Sequence, residues 1–284
     1  MLYAMGKTGE ATPYKDLNTV LDQLVFSAQE SLGEDFIGAY LQGSFAVGDF
    51  DLHSDVDFVV VAEETLTGAQ VEALQAVHDQ MFQVRSSWAK HLEGSYFPKA
   101  VLSDNGRRGE PLWYLDNGSR SLVLSNHCNT LVVRTTLAKH GIVLAGPPIA
   151  SLIAPPPTLD LQQEIVDVMT WWAAEIEADP APYKNRFYQG FIVLSYCRML
   201  HDLRAGALGS KRAGADWAKL ALNPAWRDLI DRAWHGRPRP ELSVQKPADP
   251  RDFEQTRRFV QYILGLGNDF AKKNGLAPGK TSRP

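Results

Sequence analysis

A proline-rich stretch near the middle of the chain separates two different sequence patterns. The segment GPPIASLIAPPPTLD, residues 146–160, contains five prolines. Proline lacks a backbone donor and its ring blocks a continuing helix, so this segment predicts a stiff connection between domains. We therefore expect a first domain over residues 1–157, a second over residues 158–273, and a flexible tail over residues 274–284.

Strand and helix patterns alternate before this junction. Apolar residues spaced three and four apart predict helices over 14–32, 67–84 and 127–140, while short apolar runs predict strands over 36–41, 56–61 and 91–97. After the junction every apolar pattern is helical, over 159–178, 185–204, 212–222, 224–234 and 252–272. The predicted fold class is therefore α+β: a mixed α/β sheet domain followed by an all-α helical bundle.

The composition narrows the classes of partner. The 284 residues carry a formal net charge of -4, and binding of a nucleic-acid backbone needs clustered Lys and Arg, so we expect a small-molecule partner and no nucleic acid. We find neither a signal-peptide pattern nor a run of about 18 apolar residues, which predicts a cytoplasmic chain outside the membrane. Cys128 and Cys197 lie far apart without a CxxC motif, so the sequence indicates neither a disulfide nor a zinc site.

Two aspartates stand directly before a buried strand in QGSFAVGDFDLHSDVDFVVV, residues 42–61. If residues 56–61 form a strand, Asp55 and Asp57 project to the same face because side chains alternate along a strand. Two ionised carboxylates held this close repel each other, and a cation between them removes the repulsion. Oxygen ligands beside a phosphate site favour Mg²⁺ as that cation.

A Gly-Ser pair stands ten residues before this Asp-x-Asp motif. Gly43 allows a ligand to approach the backbone closely, and Ser44 with nearby amide groups favours phosphate oxygens. Ser54 adds a hydroxyl beside Asp55. We therefore predict that Gly43, Ser44 and Ser54 help to bind a nucleotide.

The ordered combination of strand, Gly-Ser, ten residues ending in Ser54, Asp-x-Asp and apolar strand resembles the nucleotidyltransferase superfamily that includes DNA polymerase β. The resemblance implies a third carboxylate on a later strand. The candidates are Glu93, Asp104, Glu110 and Asp116. We favour Glu93, because HLEGSYFPKAVL is the first strand-like segment after the helix over 67–84. Asp55, Asp57 and Glu93 are then the expected metal ligands, with Glu93 as the base that takes the acceptor's proton.

Within that superfamily the chain is most similar to bacterial aminoglycoside adenylyltransferases of the streptomycin and spectinomycin type. The likeness is carried by KHGIVLAGPP at 139–148, LSYCRML at 194–200 and GSKRAGADWA at 209–218. It implies a monomeric antibiotic-resistance enzyme that transfers AMP from ATP, with Mg²⁺, to a hydroxyl of an aminoglycoside or aminocyclitol. It also implies that Arg198 and Lys211 contact the triphosphate.

The acceptor is less well specified. Relatives that act on streptomycin carry acidic residues where this chain has PYKNRFYQGF, residues 182–191, with Lys184, Arg186 and Tyr188. The acceptor is therefore a different aminocyclitol or another small molecule. Candidate acceptor-binding residues are Trp113, Tyr114 and Asp116, in the turn-rich segment 111–121, and Tyr188; the alternative for segment 111–121 is a packed loop. His127 and Asn129, at the start of the predicted helix 127–140, are interpreted as capping or core residues.

Two other classes of function stay open at this point. A nucleotide-binding regulatory or antitoxin-like protein would keep this fold without the reaction. A transferase of the same fold would act on RNA or on a protein side chain, although the acidic charge balance disfavours RNA.

Overall fold

The computed structural model describes residues 10–52, 54–237 and 244–282, which form two compact units that divide between Pro156 and Pro157. The first unit contains a sheet and helices, and the second contains helices. The predicted fold class, a mixed sheet domain followed by a helical bundle, is confirmed.

The first unit is built on a six-stranded sheet in the order β5-β4-β3-β2-β1-β6. Its elements along the chain are α1 (Lys15–Leu32), β1 (Phe36–Leu41), α2 (Gly43–Ala46), β2 (Val56–Ala62), α3 (Gly68–Phe82), β3 (Leu92–Pro98), α4 (Lys99–Ser103), β4 (Leu112–Leu115), β5 (Leu122–Ser125), α5 (Leu131–His140) and β6 (Ile142–Ala145). β2 and β3 run parallel, and the other neighbouring strands pair antiparallel. This parallel pair lies in the middle of the sheet.

β2 is buried on both faces, and its side chains divide between two apolar clusters. Val56, Phe58 and Val60 join the cluster formed with α1 and α3, whereas Val59 and Val61 join a second cluster that includes Leu137 of α5. The alternation of a strand therefore places Asp57 on the same face as Val59 and Val61. A β-branched strand packed on both sides is a rigid support for the polar residues at its beginning.

Two local features of this unit differ from the sequence patterns. Segment 111–121, for which a packed loop is one alternative, contains strand β4, because Leu112–Leu115 pairs with β3 on one side and β5 on the other. The helix predicted over 127–140 begins at Leu131, since the Thr130 side chain accepts a hydrogen bond from the Val133 amide and caps it. His127, Cys128 and Asn129 consequently lie in the loop before α5.

A fully buried arginine ties α5 to the segment that follows β3. Arg134 is 0% exposed. Its guanidinium donates to the carbonyls of Val101 and Leu102, each at 2.9 Å, and to Asn129 Oδ1 at 2.8 and 3.1 Å. The guanidinium also lies 5.7 Å from the centre of the Phe97 ring. These charge-assisted bonds satisfy carbonyls that are remote from solvent.

The second unit is helical over its described residues. Its helices are α6 (Thr158–Ala178), α7 (Arg186–Ala205), α8 (Lys211–Ala221), α9 (Arg227–His235) and α10 (Pro250–Lys273). α7 occupies the centre: it packs against α6, α8, α9 and α10, and its residues from Ile192 to Cys197 are all buried. No helix in the described part of the chain combines the length and apolar character needed to cross a membrane.

The segment after α10, for which the sequence predicts a flexible tail, has hydrogen-bond partners on α6. The Ala277 amide donates to Gln163 Oε1 at 2.8 Å, and the Lys280 amide donates to Asp167 Oδ1 at 3.2 Å. The Lys280 ammonium lies 3.8 Å from the same carboxylate, which is largely buried. These bonds give residues 277–280 specific partners that the composition of the tail does not suggest.

Replacing Arg134 with Met should destabilise the first unit. Methionine fills most of the space but leaves the Val101 and Leu102 carbonyls and Asn129 Oδ1 without their donors, and such losses cost about 3 kcal/mol or more in total. Urea unfolding followed by circular dichroism measures the change. Arg85→Met, at an exposed position, is the matched control and should unfold like the unchanged chain. Equal midpoints for the two variants would contradict the structural role of Arg134.

Candidate functional site

The parallel pairing of β2 with β3 places two carboxylates side by side. Asp57 is the direct register partner of Glu93, and both residues precede strand residues that are buried. The Gln42 amide donates to the Asp57 carbonyl at 2.9 Å, which joins the end of β1 to the start of β2. The carboxylates of Asp57 and Glu93 therefore belong to one small region at the beginning of the two strands.

Several negatively charged side chains lie close enough to Glu93 to affect its pKa. Burial is the main factor that raises the pKa of Glu93, to about 8, and repulsion from Asp57 is the next. Asp55 and Asp116 raise this pKa further, while the hydrogen bond from Tyr114 opposes the shift. Three carboxylates, those of Asp57, Asp55 and Asp116, thus act on Glu93 and create a field that attracts a cation.

Tyr114 of β4 holds two of these carboxylates. Its hydroxyl lies 2.8 Å from Glu93 Oε1 and 2.8 Å from Asp116 Oδ1. A single hydroxyl hydrogen serves one acceptor at a time, so the two carboxylates share this donor. Burial and the nearby Glu93 raise the pKa of Tyr114 above its usual range, which keeps it protonated. Tyr114 therefore orients Glu93 without adding negative charge.

Asn117 holds the remaining aspartate of the motif. Its side-chain Nδ2 donates to Asp55 Oδ1 at 2.5 Å, and its Oδ1 lies 3.3 Å from Nδ1 of His91. Sequence analysis did not single out Asn117. It lies in the turn between β4 and β5, far from Asp55 along the chain, so no local sequence pattern indicates the contact.

Gly43 occupies a position that only glycine fits. Its φ is 63°, in the left-handed region, and a Cβ there would collide with the Asp57 carboxylate. The helix α2 that follows is a single turn, Gly43–Ala46. Ser44 Oγ is buried and has no hydrogen-bond partner among the described residues. The Gly-Ser pair thus brings backbone and an available hydroxyl close to the carboxylates.

The donor set fits Mg²⁺. Asp55, Asp57 and Glu93 offer hard carboxylate oxygens, and the hydroxyl of Ser44 is available for a phosphate oxygen. Buried like charges of this kind are stabilised by a divalent cation. The residues that would hold the ion are therefore present together in the first unit.

Other predicted site residues have different surroundings. Ser54 Oγ accepts a hydrogen bond from the Asp51 amide at 2.9 Å, within the loop before β2. Trp113 packs against the apolar cluster of α1 and α3, on the opposite side of β4 from Tyr114, so the structure does not bring it to the carboxylates.

The other candidates for the third carboxylate have their own local partners. Asp104 caps a turn by accepting from the Gly106 amide, and Glu110 pairs with Arg107 at 2.8 Å.

Three predicted residues lie in the helical unit. Arg198 is a half-exposed residue of α7, close enough to Asp202 to lower the pKa of that carboxyl, although burial raises it more. Lys211 is the first residue of α8, with its ammonium 4.4 Å from the centre of the Phe191 ring. Tyr188 lies in an aromatic cluster, 5.3 Å from Tyr183 between ring centroids. Their roles toward a nucleotide or an acceptor stay predictions.

The loop before α5 adds two residues to the site. His127 Nε2 lies 3.7 Å from Glu93 Oε1, and Cys128 Sγ lies 4.0 Å from the same oxygen. Burial is the main factor that raises the pKa of the Cys128 thiol, and Glu93 adds to the shift. Asn129, by contrast, is a core residue as interpreted: it is 1% exposed and donates to the carbonyls of Arg107 and Glu110.

Known proteins resemble the chain over most of its length. The profile of the aminoglycoside adenylyltransferase C-terminal domain matches residues 151–264. An aminoglycoside (3'') (9) adenylyltransferase of Shigella flexneri is 21% identical over 274 residues, which cover 88% of this chain and 94% of the relative. A spectinomycin 9-adenylyltransferase of Staphylococcus aureus is 24% identical over 222 residues, which cover 73% of this chain and 80% of the relative.

A solved structure shares the fold. The spectinomycin adenyltransferase of Enterococcus faecialis, crystallised with ATP and spectinomycin, superposes with a TM-score of 0.65 at 15% sequence identity. The match covers 87% of this chain and 98% of that chain. Together with the relatives above, it confirms the predicted resemblance to the aminoglycoside nucleotidyltransferases.

The carboxylate cluster predicts a Mg²⁺-dependent stability. Replacing Asp57 with Asn removes one negative charge from the cluster, so the variant in EDTA should melt no lower than the unchanged chain. Added Mg²⁺ should raise the Tm of the unchanged chain, because a ligand that binds the folded state stabilises it, and should leave the Asp57→Asn variant unshifted.

The matched control for this measurement is Asp22→Asn, on an exposed position of α1. This variant should respond to Mg²⁺ like the unchanged chain in the same thermal-shift experiment. An equal Mg²⁺ response in all three proteins would mean that the ion does not bind at Asp57.

Proposed function

We propose that the chain, an aminoglycoside nucleotidyltransferase by its relatives and its fold, transfers AMP from ATP to a hydroxyl of an aminocyclitol or aminoglycoside. The observation that carries the proposal is the register pairing of Asp57 with Glu93, next to Asp55 and the Gly43-Ser44 turn. This set supplies metal ligands, a base and a phosphate-binding hydroxyl within one region. The named activities of the relatives support the same reaction.

Each residue has a distinct part in the proposed reaction. Asp55 and Asp57, with Glu93, would hold Mg²⁺. When bound, Mg²⁺ neutralises phosphate charge and favours attack at the α-phosphorus. Glu93 accepts the proton of the acceptor hydroxyl as the oxygen attacks, and Tyr114 fixes the direction of the Glu93 carboxylate. The Ser44 hydroxyl donates to a phosphate oxygen of ATP.

Positively charged side chains stabilise the negative charge of the leaving pyrophosphate. Arg198 and Lys211 are the proposed partners, by resemblance to the family positions. A guanidinium binds phosphate oxygens in a bidentate manner, and a lysine ammonium follows the charge as it develops.

The acceptor is proposed to be of the spectinomycin type. The Staphylococcus aureus relative is named for spectinomycin, and the solved structure that shares the fold was crystallised with it. This chain has the exposed cations Lys184 and Arg186 at positions where the family resemblance implies acidic residues in streptomycin-type relatives. Cationic side chains disfavour the guanidinium groups of streptomycin. We therefore expect a higher kcat/KM with spectinomycin than with streptomycin.

The test is pyrophosphate release from ATP and Mg²⁺ across a panel of aminocyclitols and aminoglycosides. The unchanged chain should release pyrophosphate with at least one acceptor, and Asp57→Asn should abolish release, because a metal ligand is lost without a change in volume. Asp22→Asn should retain the activity. Turnover by Asp57→Asn would contradict the mechanism, and no release with any acceptor would favour a regulatory protein of the same fold.

The Gly43 turn gives a second prediction. Gly43→Ala should lower kcat/KM by roughly 100-fold, because the new Cβ displaces the Asp57 carboxylate and a shift of about 1 Å has an effect of that size. Gly48→Ala is the matched control: Gly48 also has a positive φ, 75°, but faces open space. Gly48→Ala carries comparable backbone strain without the collision at Asp57, so both variants should unfold at lower urea concentrations than the unchanged chain while only Gly43→Ala loses activity. Equal kinetics in the two variants would disprove the role of Gly43.

A further inference from the structure

Glu93 also belongs to a second set of potential ligands, which includes two residues of the loop before α5. The ligand atoms of Glu93, His127 and Cys128 all lie within 4.8 Å of one another. The distances to Glu93 Oε1 are 3.7 Å from His127 Nε2 and 4.0 Å from Cys128 Sγ. One carboxylate, one imidazole and one thiol therefore converge at a single point.

The fold fixes the loop that carries two of these groups. Asn129 is buried, donates to the carbonyls of Arg107 and Glu110, and accepts from the Arg134 guanidinium. Thr130 caps α5 directly afterwards. Cys128 is consequently 5% exposed, while the His127 side chain is 52% exposed. His127 is thus the ligand of the group that is accessible from solvent.

The geometry is close to that of a zinc site. Zn–N and Zn–S bonds of about 2.0 and 2.3 Å in a tetrahedron put neighbouring ligand atoms about 3.5 Å apart. The separations of 3.7 and 4.0 Å exceed this value by amounts that small side-chain rotations remove. Three protein ligands with an open fourth position are a common zinc arrangement.

The types of ligand in this group favour a different metal from Mg²⁺. Thiolate and imidazole favour Zn²⁺, whereas Mg²⁺ takes oxygen ligands. Asp57, Asp55 and Asp116 act on Glu93 as negative charges, and His127 is a neutral ligand when its imidazole is not protonated, so the local field favours a divalent cation. Tyr114 remains a donor to Glu93 and fixes the carboxylate for either ion.

We propose that Glu93, His127 and Cys128 form a site for a thiophilic divalent metal, Zn²⁺, and that its occupation inhibits the enzyme. A Zn–S bond forms as the Cys128 thiol releases its proton to the solvent, and a water completes the tetrahedron. Zn²⁺ then holds the carboxylate that accepts the acceptor's proton. The inhibition rests on the proposed function, whereas the metal site does not.

Binding is tested on the full chain with Co²⁺, which reports thiolate ligation by its absorption, and with Zn²⁺ in competition with a chromophoric chelator. We expect one equivalent of each metal and a thiolate-to-cobalt band. Cys128→Ser should lose the band, and Cys197→Ser should keep it, because Cys197 is the other free cysteine and is buried in α7. A band that survives in Cys128→Ser, or no bound metal in the unchanged chain, would overturn the site.

His127 provides a variant that does not disturb the interior. His127→Ala should weaken Zn²⁺ binding by roughly 100-fold or more, since even outer partners of a metal site change affinity roughly 10–100-fold. His140→Ala, at the exposed end of α5, is the matched control and should bind Zn²⁺ like the unchanged chain. Unaltered affinity in His127→Ala would exclude the imidazole as a ligand even if Cys128→Ser fails to fold.

Inhibition is measured as pyrophosphate release at excess Mg²⁺ and rising buffered Zn²⁺, with each variant compared with its own rate without zinc. The unchanged chain and Cys197→Ser should be inhibited, and Cys128→Ser should resist. If the chain binds zinc but catalyses no nucleotidyl transfer, the metal site is supported and the proposed function is contradicted. If the chain catalyses transfer but neither binds Zn²⁺ nor is inhibited by it, only the proposed zinc site is contradicted.

Discussion

The parallel pairing of β2 with β3 is the constraint on which the site depends, because it sets Asp57 beside Glu93 at the beginning of two buried strands. Two partly buried carboxylates in register repel each other, and the pKa of Glu93, raised to about 8 by burial and by Asp57, shows how unfavourable the ionised pair is by itself. The sheet tolerates this local cost since β2 buries apolar side chains on both faces. A rigid and well-packed strand can thus hold polar groups where a cation is needed.

The polar groups around the pair limit where each carboxylate can point. Tyr114 reaches Glu93 from β4, and Asn117 reaches Asp55 from the turn that follows β4. Beneath the loop before α5, Arg134 and Asn129 form a buried network that satisfies backbone carbonyls and fixes that loop. Fully connected networks of this kind rigidify a core and lose their value when one member is removed. The positions of the carboxylates therefore depend on Tyr114, Asn117 and the buried network as much as on the carboxylate residues themselves.

Local patterns were sufficient for some elements and insufficient for others. The strand over 36–41 and the strand beginning at Val56 were predicted because apolar runs and turn residues mark them, and Glu93 was chosen because its segment follows the α3 helix. β4 was missed, since a four-residue strand among turn formers is stabilised by pairing on both sides and not by its own pattern. Arg134 lies on a helix pattern that does not distinguish a surface arginine from a buried one. The contacts of residues 277–280 with α6 join positions more than 100 residues apart, which no local signal reveals.

His127 and Cys128 show how a change of element boundary alters chemistry. As the start of a helix, they would be interpreted as capping and packing residues, and the spacing of the two cysteines gives no zinc motif. With the helix beginning at Leu131, the same residues lie in a fixed loop beside Glu93, and a ligand set forms from two distant parts of the chain. Glu93 then stands between two donor sets of different hardness, the carboxylates of Asp55 and Asp57 and the imidazole and thiol of His127 and Cys128. Because magnesium prefers the first set and zinc the second, the two proposed sites imply that the identity of the ion would decide whether this carboxylate serves the reaction or is withdrawn from it.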